Sequence, residues 1–357
     1  MRKLKLPKKN GIIFFAAFFI YIAAFIFNNS VKQGAVNGIG ICLNSIVPSL
    51  FPMLIISSFL TNVGIPQKIK RIIFYPIKKI IGVSENAAES FIFGSTAGYP
   101  VGVKTAYSLY KQKKLSLQDA QRSALINVNP GIAFSVIVSG KVFFGSSLSG
   151  ITLYLSVTAA NFLTGILLKK RKNADTSKTV FEENSMDASL CLINAVSSSV
   201  KGIASICAWI TAFSAFSAPL GEMIKMPYIK IFLEVTSASA LCAENGLLPL
   251  CALAMGFGGL CVFFQLMPEI KDLKISPVKY LFYRLVSGII SFIIESIIIN
   301  FIPVQTTVFS PDEAIVRFNS VSVSGSLALI FLCSVFMLSI YSNYETNTCH
   351  TKINMLK

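Results

Sequence analysis

Histidine is almost missing from this chain: the single one, His350, lies in the C-terminal tail. Eight cysteines occur, and no two form a CxxC pair. Cys42, Cys191, Cys207, Cys242, Cys251, Cys261, Cys333 and Cys349 are scattered, mostly inside apolar segments. No cysteine–histidine metal site is expected, and the thiols read as small packing groups. There is no HExxH, GxSxG or P-loop motif, so neither an enzyme nor a cofactor is expected, although composition alone leaves a Ser–Lys dyad open. Acidic residues number 16 against 32 basic ones. No polar stretch is long enough to bury a core of its own, which excludes a separate soluble domain.

What is present is apolar. Hydrophobic residues make up 54% of the 357 and charged residues only 13%. Mean hydropathy is +0.67, far above an ordinary soluble domain. Apolar segments run roughly over 11–27, 35–62, 85–103, 119–140, 147–168, 190–217, 229–246, 247–267, 280–301 and 323–341. Several approach the roughly 20 residues needed to cross a bilayer, so the expectation is an all-α polytopic membrane protein. The first segment follows MRKLKLPKKN and reads as an uncleaved span rather than a signal peptide. The net charge of +16 would point to nucleic acid in a soluble protein. Here the basic residues cluster in short loops, so they mark the cytoplasmic side and no nucleic-acid partner is expected.

Those loops conflict with a simple up-and-down reading. Lys68, Lys70, Arg71, Lys78 and Lys79 precede segment 85–103, and Lys111, Lys113 and Lys114 follow it. Both loops should be cytoplasmic, so the segment must enter and leave on one side, as a re-entrant hairpin. Its GSTAGYPVG core supplies Gly and Pro for the reversal. Irregular backbone at membrane depth survives only where protein or water covers it. The second half repeats the order, with IKIFLEVTSASALCAENG (229–246) as the short polar segment. LNSIVPSL (43–50) echoes INAVSSSV (193–200), and NVNPGIAFSVIVSG (127–140) echoes MGFGGLCVFFQLM (255–267). Two inverted-topology repeats, each with a re-entrant hairpin, are the mark of a secondary transporter. The expected division is a basic tail and first span (1–34), a first repeat (35–168), a cytoplasmic polar linker (169–189), a second repeat (190–301), and a final external loop, span and tail (302–357). Asp312 and Glu313 should face away from the cytoplasm.

Broken helices expose backbone N–H groups at half-helix N-termini, which suit an anion. The first hairpin offers Ser95, Thr96, Gly98, Tyr99, Pro100, Gly102 and Lys104. Tyr99 can stack on a planar ring, and Lys104 can pair with a carboxylate or snorkel to the cytoplasm. The second broken motif carries Asn127, Asn129, Pro130 and Gly131. Its amides can meet a ligand or bond between helices. In the second half the candidates are Thr236, Ser237, Gly258, Gly259 and Gln265, with Glu234 to couple a proton or sodium ion. Glu295 and Lys201 are also expected within the membrane, as partners that hold the bundle together.

PSLFPMLI (48–55), GYPVGVK (98–104), NVNPGIAF (127–134) and FGGLCVFFQ (257–265), in that order, resemble the YlbJ-like (SpoVV) sporulation integral membrane protein family. The match covers about residues 35–301. The resemblance implies the nucleoside-recognition Gate domain and a fold similar to concentrative nucleoside transporters. It implies a role in spore cortex formation and core maturation, with dipicolinic acid moved from the mother cell across the outer forespore membrane. A nucleoside permease and a non-transporting scaffold for spore-envelope assembly are the other readings. The chain departs from the family pattern at Cys261 and Phe263–Phe264, where a histidine is often found before the glutamine.

Overall fold

The computed structural model describes residues 25–64, 77–168, 187–224 and 227–302, with scattered positions at 14–22 and 72–75. The expected first span is covered only in part. The expected linker, apart from its last residues, lies outside the described residues, as do the last span and the loop with Asp312. Among the described residues there are helices and no strands.

Helix α1, Asn28–Val63, contains a π-helical turn at Cys42–Ile46. Two short helices follow, α2 (Glu85–Ala97) and α3 (Val101–Lys111), and then α4 (Leu117–Ile126). A non-helical stretch at 127–131 leads into the π-wound α5 (Ala133–Phe143). Helix α6 is Ser147–Leu167 and α7 is Ala188–Ile224. The single turn α8 (Lys230–Leu233) precedes α9 (Val235–Glu244), α10 (Leu248–Phe257), α11 (Gly259–Gln265) and α12 (Met267–Asp272). Helix α13 is Pro277–Phe301.

Local chemistry sets these boundaries. Ser84, Ser116 and Ser146 each accept a backbone N–H from three residues on, at the starts of α2, α4 and α6. Gly98 and Gly258 end α2 and α10 at positive φ, 89° and 83°, where L side chains are strained.

Five described segments are long and apolar enough to cross a membrane: Asn28–Val63, Ser147–Leu167, Ala188–Leu220, Leu248–Gln265 and Pro277–Phe301. Large apolar side chains cover their outer faces, with Leu155, Ile297 and Phe301 more than half exposed. Water would not tolerate such a surface, and lipid does. The chain is an integral membrane protein with several spans.

Helices α1 and α7 pack antiparallel. Gly34 lies against Ser214 at one end, and Asn62 Nδ2 donates to Cys191 O at the other. Segment 85–111 reverses on itself: Asn86 Nδ2 donates to the carbonyl of Lys114 at 2.8 Å, while the turn at 98–100 lies at the far end. The basic loops gather near this end. Gln121 reaches Leu273 O at 2.8 Å, and Tyr107 bonds Asp272. Segment 229–246 does not form two matched arms. Its first arm is the one turn α8, and the chain breaks at Glu234, because Glu234 is extended (φ −151°, ψ 125°) and caps α9.

Candidate functional site

The broken segments meet one another backbone to backbone. A Cβ on Gly98 would stand 2.7 Å from Pro130 O, and one on Gly102 would stand 2.3 Å from Asn127 O. Neither separation is physically possible, so glycine is required for contact between the first turn and the first break. The close approach expected for a ligand at these glycines is therefore taken by protein.

A small pocket, with a cavity volume of about 30 Å³, lies where these segments converge. Tyr99 comes from the α2–α3 turn, Pro130 and Phe134 from the first break, Glu234 and Thr236 from the start of α9, and Cys261 and Gln265 from α11. Ile46, Leu50, Ile206 and Ile210 close the apolar side from α1 and α7. Residues at or just before the beginnings of α3, α5 and α9 thus line one space. The first two carry no side-chain cap. The third is capped by Glu234, whose Oε1 accepts from Thr236 N at 2.7 Å and Oε2 from Ser237 N at 2.6 Å. A carboxylate at a helix N-terminus is stabilised by unpaired N–H groups and the positive dipole end.

The opposite helix ends converge on Arg284, a residue the sequence reading passed over. It is 1% exposed. Its Nε donates to Phe257 O at 3.4 Å and its Nη1 to Asn161 Oδ1 at 2.9 Å. Its Nη2 donates to Val128 O at 3.0 Å and to Gly256 O. Tyr99 Oη takes the preceding carbonyl, Met255 O, at 3.1 Å. The last turn of α10 leaves carbonyls that no helical N–H can reach, and side chains from other elements satisfy them. No carboxylate pairs with Arg284 among the described residues. Two helix C-terminal ends, those of α4 and α10, carry roughly half a negative charge each, about the charge of one guanidinium.

Asn161 extends this network. Its Nδ2 donates to Val128 O at 3.0 Å and to Asn129 Oδ1 at 2.7 Å, and its Oδ1 also accepts from Ser287 at 2.6 Å. Asn129 Nδ2 reaches Ser95 Oγ at 3.2 Å, and Asn127 Nδ2 reaches Ser90 Oγ at 2.6 Å. The two break amides are thus engaged between helices. Of the expected site residues, Tyr99, Pro130, Glu234, Thr236 and Gln265 line the pocket. Ser95, Asn127, Asn129 and Gly131 sit behind it, in the contact between breaks. Thr96 returns its hydroxyl to Ile92 O at 2.9 Å, Ser237 lines a second pocket, and a Cβ on Gly259 would stand 3.0 Å from Leu233 O. Lys104 is half-buried and away from the pocket lining, and Lys201 is exposed on α7. A buried arginine inside the run 280–301 was the available signal for Arg284, since ionisable groups at membrane depth are costly.

Among curated proteins, the chain is similar to the sporulation integral membrane protein YlbJ of Bacillus subtilis (strain 168). The two are 21% identical over 337 residues, covering 80% of this chain and 82% of that protein. No family model and no solved structure matches the chain. This weak homology supports a YlbJ-like kinship and is consistent with a membrane role in sporulation.

Proposed function

We propose that this chain is a sporulation membrane transporter for a small planar anion, and that dipicolinate is its substrate. It would move dipicolinate out of the mother cell across the outer forespore membrane. One observation carries the reading: residues at or just before the starts of α3, α5 and α9 line a single, mostly apolar pocket with one tyrosine ring and the side chains of Glu234, Thr236 and Gln265. The positive ends of helix dipoles attract carboxylates, and the aliphatic walls and Tyr99 suit a flat ring. The turn at 98–100 and the break at 127–131 in the first half, and the breaks at Glu234 and Gly258 in the second, come in the same order, which supports two inverted repeats, with a re-entrant segment in the first. A carboxyl group, that of Glu234, stands at the pocket wall, so a cation (proton or sodium) would accompany a dianion. Binding of dipicolinate to purified protein in nanodiscs tests the reading. Binding that Tyr99→Ala weakens supports it, and no binding by a folded protein contradicts it.

A further inference from the structure

We propose that Glu295 is a proton-binding site, held as the neutral acid between α6 and α13, and that it rather than the pocket carboxylate carries the coupling proton. The proton site stands on geometry alone, and its coupling role rests on the transporter reading. Glu295 is 0% exposed, in the C-terminal third of the apolar helix α13. Its Oε2 accepts from Ser156 Oγ at 2.5 Å, and its Oε1 has no hydrogen-bond partner. From α6 it meets Ser156 and Thr152, whose hydroxyl is committed to Ser149 O at 2.9 Å. From α10 the titratable neighbour is the thiol of Cys251. No Lys, Arg or His pairs with it among the described residues.

An ionised carboxylate in that place would lack both water and a counter-charge. Its desolvation would cost several kcal/mol, and one hydroxyl cannot offset that. The neutral acid carries no such penalty. Glu234 differs, because each of its oxygens already holds a backbone N–H. With one histidine in the chain, in the tail, proton carriage falls to carboxyl groups.

The position also links the proton to the pocket. Arg284, Ser287, Ser291 and Glu295 lie on the buried face of α13, and Ser149, Thr152, Ser156 and Asn161 on the buried face of α6. Glu295 stands three helical turns from Arg284, about 16 Å along the axis. Arg284 and Asn161 hold the carbonyls of both breaks. Parting α6 from α13 would let water reach Glu295 and take its proton, and it would loosen the grip on the breaks.

Infrared difference spectroscopy of wild-type protein and Glu295→Gln in proteoliposomes at pH 7, without sodium, tests the site directly. The wild type should show the carbonyl stretch of a neutral carboxylic acid that Glu295→Gln lacks. The glutamine imitates the neutral acid and should fold and melt as the wild type does. Absence of that band, or unfolding of Glu295→Gln, overturns the proton site. Dipicolinate exchange at equal pH should survive in Glu295→Gln, while accumulation driven by a pH gradient falls at least about tenfold, the effect of about 1.4 kcal/mol. Unchanged gradient-driven accumulation in Glu295→Gln overturns the coupling role. A wild type that carries the band but transports nothing supports the proton site and removes the transporter reading instead.

Discussion

Replacing Arg284 with methionine tests whether the arginine holds the two breaks together or is merely tolerated. Methionine roughly matches its length and removes every donor. Val128 O would keep Asn161 Nδ2, and Asn161 Oδ1 would keep Ser287. Gly256 O and Phe257 O would lose the guanidinium that each bonds. Each orphaned buried carbonyl costs about 1–3 kcal/mol. Losing a cation at a helix C-terminus adds up to ~2 kcal/mol. The cavity and overpacking terms are small for such a swap, and removing a buried charge returns its own desolvation cost. The net expectation is a loss of about 3 kcal/mol, with Arg284→Lys retaining part of it. The only tryptophan, Trp209, gives the readout. Its ring stacks on Phe264 of α11 at 5.8 Å, so its fluorescence reports the contact between α7 and the segment after the second break. Denaturant titration in detergent micelles should show the Arg284→Met midpoint lowered, with early loss of the Trp209 signal. Stability within about 1 kcal/mol of wild type would refute the reasoning, because it would mean the carbonyls find other donors.

Three further outcomes follow from the geometry. Gly102→Ala should cost about 1–3 kcal/mol in the same titration, since its Cβ would meet the backbone oxygen of Asn127, and Gly102→Leu should abolish transport while the protein still accumulates in the membrane. Tyr99→Phe should lose about 1 kcal/mol with the bond to Met255 O yet keep dipicolinate binding, whereas Tyr99→Ala should lose both; equal binding by all three would remove the ring from the site. Single-cysteine labelling should find positions 79 and 113 on the same face of the membrane and position 312 on the other; opposite faces for 79 and 113 would make segment 85–103 an ordinary span.

The membrane class and the interrupted segments were legible because both are local. Apolar length marks spans, and Gly98, Pro130 and Gly258 mark places where a helix cannot continue. Loop charge led to the expectation that segment 85–103 turns back on one side of the membrane; the chain does reverse between α2 and α3, where Asn86 bonds the carbonyl of Lys114. The partners of the breaks were not legible. Gly102 serves a contact with Asn127, and nothing near either residue in the chain says so. Arg284 was hidden for the same reason: its acceptors lie 27, 28, 123 and 156 residues away. Glu234 was visible as a carboxylate in an apolar run, but its capping role depends on the extended backbone at that residue. Burial of the Asn129–Asn161–Arg284 network depends on α6 and α13 packing side by side, which periodicity alone does not disclose.

Uptake of labelled dipicolinate into proteoliposomes containing the purified chain tests the central claim most directly. The account predicts saturable uptake above that of protein-free vesicles, reduced by Tyr99→Ala and abolished by Gly102→Leu. Uptake no greater than in protein-free vesicles, by protein whose Trp209 titration shows it folded, would contradict it.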